Sequence, residues 1–513
     1  MCSQAPVTTF EGTIASPGSP AARRFCERSA VNSSAALPSP DRTAASSPPP
    51  SRDGAPTRSL APDIARGLML ALIAIANVAW FLWGHEGGVG MTPHVPALGP
   101  LDSAVQFVMT VAVDHRAMPL FAFLFGYGMV QFYRSRVDRG MEPRVVRLMM
   151  RRRHWAMLLL GFLHAALLFY GDILGAYAIA ALLWVWLLFG RRTRTIIVWA
   201  SVIGGALVFY ALFSVVGALG ILFFAPSEVL EQMQRSGATG FTNDWIRDLA
   251  YGQPYLVSML YRPMMWIVSS VPLALFGAVL PILLGWIAAR ARLLDEPWRH
   301  TRALKRLAVA GIGLGWLTGL PDALVVIGVL PMPEVLSWAF YGLNMAGGMC
   351  CGVGYAAAFG LLALRLEKRP TLPPSAPLST APLSASERRA LRAERAVAHA
   401  ALSPAQRAYG EPATEAPPAG AAPTGLMRAL SAVGQRSLTF YLFQSLLLAP
   451  LMAGWGLGLG PHVGTAASVG IAFSVWLLSL PLGAWMDSRG MRGPAEMLLR
   501  RMTYGTHDPR ARS

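Results

Sequence analysis

The chain is expected to fold as an all-α, polytopic membrane protein of about ten transmembrane helices, with both termini in the cytoplasm. Three observations predict this. Of 513 residues, 54% are hydrophobic and only 14% are charged, whereas a soluble globular protein carries about 25% charged residues. Apolar runs recur that match the roughly 20 residues a helix needs to cross a bilayer. Basic residues outnumber acidic ones 44 to 27, and clusters of them fill short segments between those runs, where they act as topology signals. Soluble enzyme classes are therefore excluded. A net charge of +17 would suggest nucleic acid in a soluble chain; with the arginines placed between apolar runs, the expected partner is the lipid bilayer and no nucleic acid.

Taken in order, residues 1–62 are rich in Ser, Ala, Pro and Arg and carry no apolar run. They cannot bury a core, so a disordered tail is expected. With no apolar h-region, the tail is not a secretory signal. Residues 63–364 form the membrane domain, with apolar segments at about 68–84, 117–133, 155–170, 173–190, 195–224, 263–289, 307–330 and 335–364. The run 102–113 is too short to span and reads as an interfacial or re-entrant piece leading into the second helix. Residues 365–427 are dense in Pro, Ala, Ser and Arg, as expected of a disordered cytoplasmic insert. Residues 428–505 return to the membrane with segments at about 437–455 and 465–486, and 506–513 form a tail.

The arginines test this count. Arg134, Arg136, Arg139, Arg144, Arg147, Arg151, Arg152 and Arg153 fall between the second and third spans; Arg191, Arg192 and Arg194 follow the fourth. Arg290, Arg292, Arg299, Arg302, Lys305 and Arg306 follow the sixth. With ten helices and a cytoplasmic N-terminus, all of these lie inside, and the alternate loops are poor in Arg. A missed helix would place half of them on the wrong side. The four cysteines, Cys2, Cys26, Cys350 and Cys351, show neither a disulfide framework nor metal spacing, and no metal site is expected.

The candidate chemistry lies where ionisable groups meet apolar runs, because such groups are costly at membrane depth. His164 and Asp172 interrupt a stretch that is otherwise apolar from Trp155 to Phe189. Gly171 breaks it, so a tight hairpin is expected with Asp172 at the turn and His164 about two turns below. His164 is a natural general base and an acid can orient it. The plainer reading makes His164 inter-helix glue and Asp172 a helix cap. Asp114, His115 and Arg116 sit at the outer end of the second helix, as an interfacial anchor or facing His164 across the bundle. His85 and His94 occupy an outer loop and are expected to be solvated. Asp63 and Arg66 open the first helix, where Arg66 can meet an anionic cytoplasmic donor. Gly126 and Gly128 suit close helix packing. Gln444 and Ser445 either pack or line a cavity.

Four stretches resemble the YeiB-like family of bacterial membrane proteins, domain of unknown function 418. They are Asp63 to Gly67 with Asn77 further along the helix, Met118 to Gly128, the hairpin Gly161 to Leu174, and a C-terminal set running Val433 to Ser445 and Gly493 to Gly505. More distantly, the chain is similar to transmembrane acyltransferases of the heparan-α-glucosaminide N-acetyltransferase type. Those enzymes share an Arg near the start of the first helix, which Arg66 matches. The sugar O-acylases carry a histidine eleven residues beyond it. Asn77 stands there, as in the heparan-type branch, whose histidine lies instead in the outer loop before the second helix. His94 and His115 are nearby at different spacing.

The resemblance implies transfer of an acyl group from cytoplasmic acyl-CoA to an extracytoplasmic acceptor, in a bacterial inner membrane. His164, Asp172, His115 and Asp114 would be catalytic, and Arg66 and Asn77 would meet the donor. No tightly bound cofactor is expected; acyl-CoA would be a substrate. The alternative class is a transporter or permease for a small solute, its pathway lined by the same groups, although no inverted repeat is visible. A third is an accessory subunit docking through the basic insert.

Overall fold

The computed structural model describes residues 60–85, 92–237, 243–366, 386 and 425–504. Nearly all of the N-terminal tail and the insert, together with the C-terminal tail, lie outside these residues, so the expectations for them go unexamined. Every regular element among the described residues is a helix. In order they are α1 Ala61–Val78, α2 Pro100–Ala112, α3 Ala117–Val137, α4 Pro143–Leu167, α5 Ile173–Trp184, α6 Thr193–Phe224, α7 Ser227–Gly237, α8 Asn243–Arg247, α9 Tyr255–Pro272, α10 Val279–Arg290, α11 Thr301–Val326, α12 Tyr341–Leu366, α13 Gly425–Gln435, α14 Ser437–Met452, α15 Thr465–Ser488 and α16 Pro494–Tyr504.

Among the described residues, seven helical stretches are long and apolar enough to cross a membrane, with three shorter apolar helices at Ile173–Phe189, Val279–Arg290 and Ser437–Met452. The chain is a multi-pass helical membrane protein. Helix α6 shows why the environment must be apolar: it points Phe209, Phe213, Val216 and Phe224 outward, a surface tolerable only against lipid.

One expected span is built differently. The run 263–289 is not one helix: α9 ends at Pro272, a wider-wound turn covers Leu273–Gly277, and α10 follows. Pro272 has no N–H to donate to the preceding turn, so the regular ladder is interrupted there. The run 102–113 is a helix of its own, α2, joined to α3 through His115, whose φ is +59°. Few side chains with a Cβ adopt that conformation, and here it turns a sharp corner.

The connecting segments gather on two faces. On one, Arg134 pairs with Asp295, Arg290 donates to the carbonyls of Phe189 at 2.9 Å and Arg191 at 3.1 Å, and Arg136 meets the Tyr504 hydroxyl. This is the arginine-rich face. On the other, the Trp83 indole donates to the Met452 carbonyl at 2.9 Å and Arg247 to the Pro93 carbonyl at 2.7 Å.

Close approach of α1 and α13 fixes the mouth of the site described next. A Cβ on Gly67 would strike the Leu430 carbonyl, and one on Gly434 would strike the Asp63 carbonyl. Only glycine at both positions lets the two backbones touch.

Candidate functional site

The hairpin of α4 and α5 carries the site. Helix α4 stops at Leu167, and the amides of Leu168 and Phe169 both fold back onto the His164 carbonyl, at 2.9 and 3.0 Å. Asp172 then starts α5: its Oδ2 accepts the Gly175 amide at 2.7 Å, satisfying a donor that a helix start leaves orphaned. Its Oδ1 accepts from His164 Nδ1 at 2.8 Å. The two carboxylate oxygens thus divide two contacts, one to the helix start and one to the imidazole. The pair is closed off, His164 being 4% and Asp172 1% exposed.

A carboxylate can only accept, so this bond assigns the proton to Nδ1 and leaves Nε2 with a free lone pair. Nε2 is buried and has no partner among the described residues. Tyr441 of α14 completes the group. Its hydroxyl donates to Asp172 Oδ1 at 3.2 Å and accepts the Ile173 amide at 3.2 Å, and its ring lies 5.2 Å from the His164 ring.

Tyr441 has a second side. It helps to line a cavity of about 900 Å³ that also takes in Asp63, Arg66, Arg139, Arg153, His154 and Glu496. Along α3 the lining runs from Asp138, exposed at the arginine-rich face, to Phe121, roughly 25 Å of helix rise. The mouth is charged and the depth apolar, walled by Met69, Leu124, Phe125, Met157 and Leu174. Neither His164 nor Asp172 lines the cavity; Tyr441 stands between them and it.

Charges at the mouth are partly spent on one another. Arg66 bonds Asp63 Oδ1 at 3.0 Å and Gln131 Oε1 at 3.4 Å. Asp295 takes Arg134 and, at 2.5 Å, the Gln131 amide. Glu496 caps α14, accepting the amides of Leu438 at 2.8 Å and Thr439 at 3.2 Å. A Cβ at Gly493 would collide with that carboxylate and with Thr439. Arg153 sits 5.4 Å from the Phe132 ring centre.

The remaining sequence candidates lie apart. Asp114 does not meet His164; it bonds His94 Nε2 at 2.7 Å. His94 is thus no solvated loop residue but fully buried, since the outer loop folds down onto the α2–α3 corner. His115 packs its ring on Tyr341 at 4.9 Å. Asn77 is eleven residues from Arg66, about 16 Å along α1, and is not in the cavity lining. His85 bonds the Gly460 carbonyl at 3.0 Å. Gln444 bonds the Leu70 carbonyl at 3.0 Å, a packing contact outside the cavity lining.

Three residues escaped the sequence reading. Tyr441 lies 269 positions from Asp172, and nothing local to either announces the contact. His154, 2% exposed and lining the cavity, was hidden by the arginine run that precedes it. Arg262 was overlooked at the edge of an apolar run, where its being ionisable was the signal that could have found it.

The family described as "Protein of unknown function (DUF418)" matches residues 288–379 and 419–506. The chain is similar to the "Uncharacterized protein YxaH" of Bacillus subtilis (strain 168), at 31% identity over 272 residues, covering 49% of this chain and 63% of that protein. The match thus spans less than two thirds of the relative's length. No solved structure matches. The family segments contain Tyr441 and Glu496, while Arg66, His164 and Asp172 precede them.

Proposed function

We propose that this chain, which matches the DUF418 family of unknown function over residues 288–379 and 419–506, is an acyltransferase of the bacterial inner membrane. It takes acyl-CoA at the arginine-rich, cytoplasmic face and an acceptor hydroxyl or amine from the opposite face, through ten crossings with both termini inside. The observation that carries this reading is His164, with Nδ1 held by Asp172 at 2.8 Å and Nε2 unpartnered. That is the arrangement of a base held in one tautomer by an acid.

The long cavity supplies the donor side. Arg66, Arg139 and Arg153 suit the phosphates of coenzyme A, and the apolar depth lets its flexible arm carry the thioester toward Tyr441. Rotation of the Tyr441 ring opens the pair to the cavity. His164 Nε2 then takes the proton of the acceptor O–H or N–H. The acceptor atom bonds to the thioester carbonyl carbon, the C–S bond breaks, and the thiolate leaves with the proton returned by the imidazole. Asp172 holds the imidazolium between these steps.

The test uses the full chain in nanodiscs with acyl-CoA. Free thiol should appear slowly from hydrolysis, faster with an acceptor, and should vanish in His164→Ala. No binding of acyl-CoA and no thiol release by the wild-type protein would overturn the reading.

One observation favours a solute transporter instead. Helices pass into wider-wound segments at Val185–Phe189, Asp248–Gly252 and Leu273–Gly277, and broken helices are a device of secondary transporters. Uptake into vesicles that depends on His164, without thiol release, would establish that class.

A further inference from the structure

Helix α9 contributes nothing to the cavity lining, yet one of its faces holds the hairpin turn at three points. Arg262, Trp266 and Ser270 recur at a spacing of four, which puts them on one side of a helix. Trp266 Nε1 and Ser270 Oγ both donate to the Asp172 carbonyl, at 3.3 and 3.4 Å. Arg262 Nη1 donates to the last carbonyls of α4, Leu167 at 3.0 Å and Ala166 at 3.3 Å. Its Nε donates to the Ala250 carbonyl at 2.9 Å. So α9 grips the turn on both sides: the end of the helix that carries His164 and the backbone of the residue that orients it.

Arg262 is an expensive choice for this work. It is fully buried within an apolar span, where a guanidinium is costly. No carboxylate meets it among the described contacts. Its charge rests on backbone carbonyls and on the rings of Tyr251, Tyr255 and Trp455, with centres 5.5, 5.5 and 5.6 Å away. The C-terminal end of a helix offers orphan carbonyls and a partial negative charge, which suit a cation. The planar fork matters too. Two nitrogens in fixed geometry reach carbonyls from two separate segments, which the single point charge of a lysine cannot copy.

We propose that Arg262, with Trp266 and Ser270, is a positioning clamp that holds the His164–Asp172 pair in register; this rests on the acyl-transfer reading above. The clamp touches neither donor nor acceptor. It fixes where α4 ends and where α5 begins, and therefore the distance between the base and its orienting acid. A displacement of about 1 Å at a reacting group costs on the order of 100-fold in rate. A clamp acting on the turn alone changes the chemical step and spares donor binding at the far end of the cavity.

Two measurements on the full chain in nanodiscs separate the clamp from the function. The first is hydrogen exchange of the amides of residues 168–175 in wild type, Arg262→Met and Arg262→Lys. Both variants should lose protection there while α11 and α12 keep theirs. Unchanged protection of the turn, or restoration by lysine, would overturn the clamp. The second is thiol release from acyl-CoA. In Arg262→Lys, kcat should fall about 100-fold with KM within twofold of wild type. A loss that appears only in KM, or only in proportion to unfolded protein, would also overturn it. Wild-type protein that shows turn protection but no turnover would remove the acyltransferase reading and leave the grip on the turn standing. If Trp266→Phe, which keeps an aromatic ring and removes the indole N–H, shows a milder version of both effects, the clamp is confirmed without disturbing Arg262.

Discussion

Among the described residues there are two buried His–Asp pairs built from the same parts, and they differ in what surrounds the acid. His164–Asp172 is 2.8 Å long and local, formed across one hairpin turn. His94–Asp114 is 2.7 Å long and joins a loop to the α2–α3 corner. In each pair the second ring nitrogen is buried without a partner. Around Asp114, however, the polar groups close on one another. Arg116 donates to the Asp114 carbonyl at 2.6 Å, to the Gly315 carbonyl at 2.6 Å and to Asn344, which in turn donates to Asp322 at 2.7 Å. That knot ties α3, α11 and α12 together. Around Asp172, Tyr441 leads instead to a cavity with an arginine-lined mouth. The separation of histidine and acid is nearly the same in both pairs; the route to open space is what differs.

Both pairs belong to the face away from the arginines, and the contrast has chemical meaning only if that face is outside. The largest expected effect is therefore all-or-none. With the four native cysteines replaced by alanine, Leu457→Cys, at a position 71% exposed beyond α14, should react with an impermeant thiol reagent on intact cells. Arg139→Cys should react only after permeabilisation. The reverse pattern would put both pairs in the cytoplasm and invert the direction of the proposed transfer.

The next effect separates the pairs directly. His164→Ala should lower thiol release per folded molecule by about 10²–10⁴-fold, the usual contribution of a general base, beyond any loss of stability from stranding Asp172. His94→Ala should affect stability alone. It strands the Asp114 carboxylate in the interior, and breaking a buried pair from one side costs about 3–5 kcal/mol. Thermal unfolding should fall clearly, with activity per folded molecule retained. Equal behaviour of the two variants would erase the distinction.

How much of this could be read from the sequence depends on the range of the contact. The hairpin was legible because its signals are local: Gly171 and Asp172 interrupt an apolar run, and His164 lies eight positions before the acid. The basic segments between spans were legible because charge is costly in lipid wherever the fold puts it. The His94–Asp114 bond was not, since the loop that carries His94 could equally have stayed in water. Asp114 and His115 therefore looked like partners of His164, a grouping the fold does not make. The break between α9 and α10 was masked because Pro272 and Gly277 sit in a run apolar enough for a single helix. Tyr441 reads as an ordinary aromatic in an apolar helix until the fold brings α14 against the hairpin.

A smaller effect sharpens the two roles of Asp172. Asparagine caps a helix about as well as aspartate, so Asp172→Asn should keep the bond to the Gly175 amide and most of the stability. It loses the negative charge that supports an imidazolium, so thiol release should fall steeply. Asp172→Ala should lose both, with roughly 1 kcal/mol of stability gone as well. If Asp172→Asn keeps wild-type activity, the carboxylate is only a cap and the pair has no catalytic part.

The smallest expected effect falls on Tyr441, and it tests what joins the favoured pair to the cavity. Tyr441→Phe keeps the ring against His164 and Phe121 and removes only the hydroxyl. Asp172 Oδ1 still holds His164, and the Ile173 amide loses its acceptor. The stability cost should be about 1 kcal/mol, the net worth of a typical buried hydrogen bond. If Tyr441 is a movable partition, removing its tether makes the ring easier to turn, and acyl-CoA hydrolysis without acceptor should rise while acceptor-dependent transfer changes little. If the hydroxyl is part of the base, both reactions should fall together. A drop in both would move Tyr441 from partition to participant and place the reacting carbonyl within reach of its oxygen. A rise in hydrolysis alone would mean that what keeps this His–Asp pair productive is the same feature that keeps it dry, a single phenol separating it from the arginine-lined cavity.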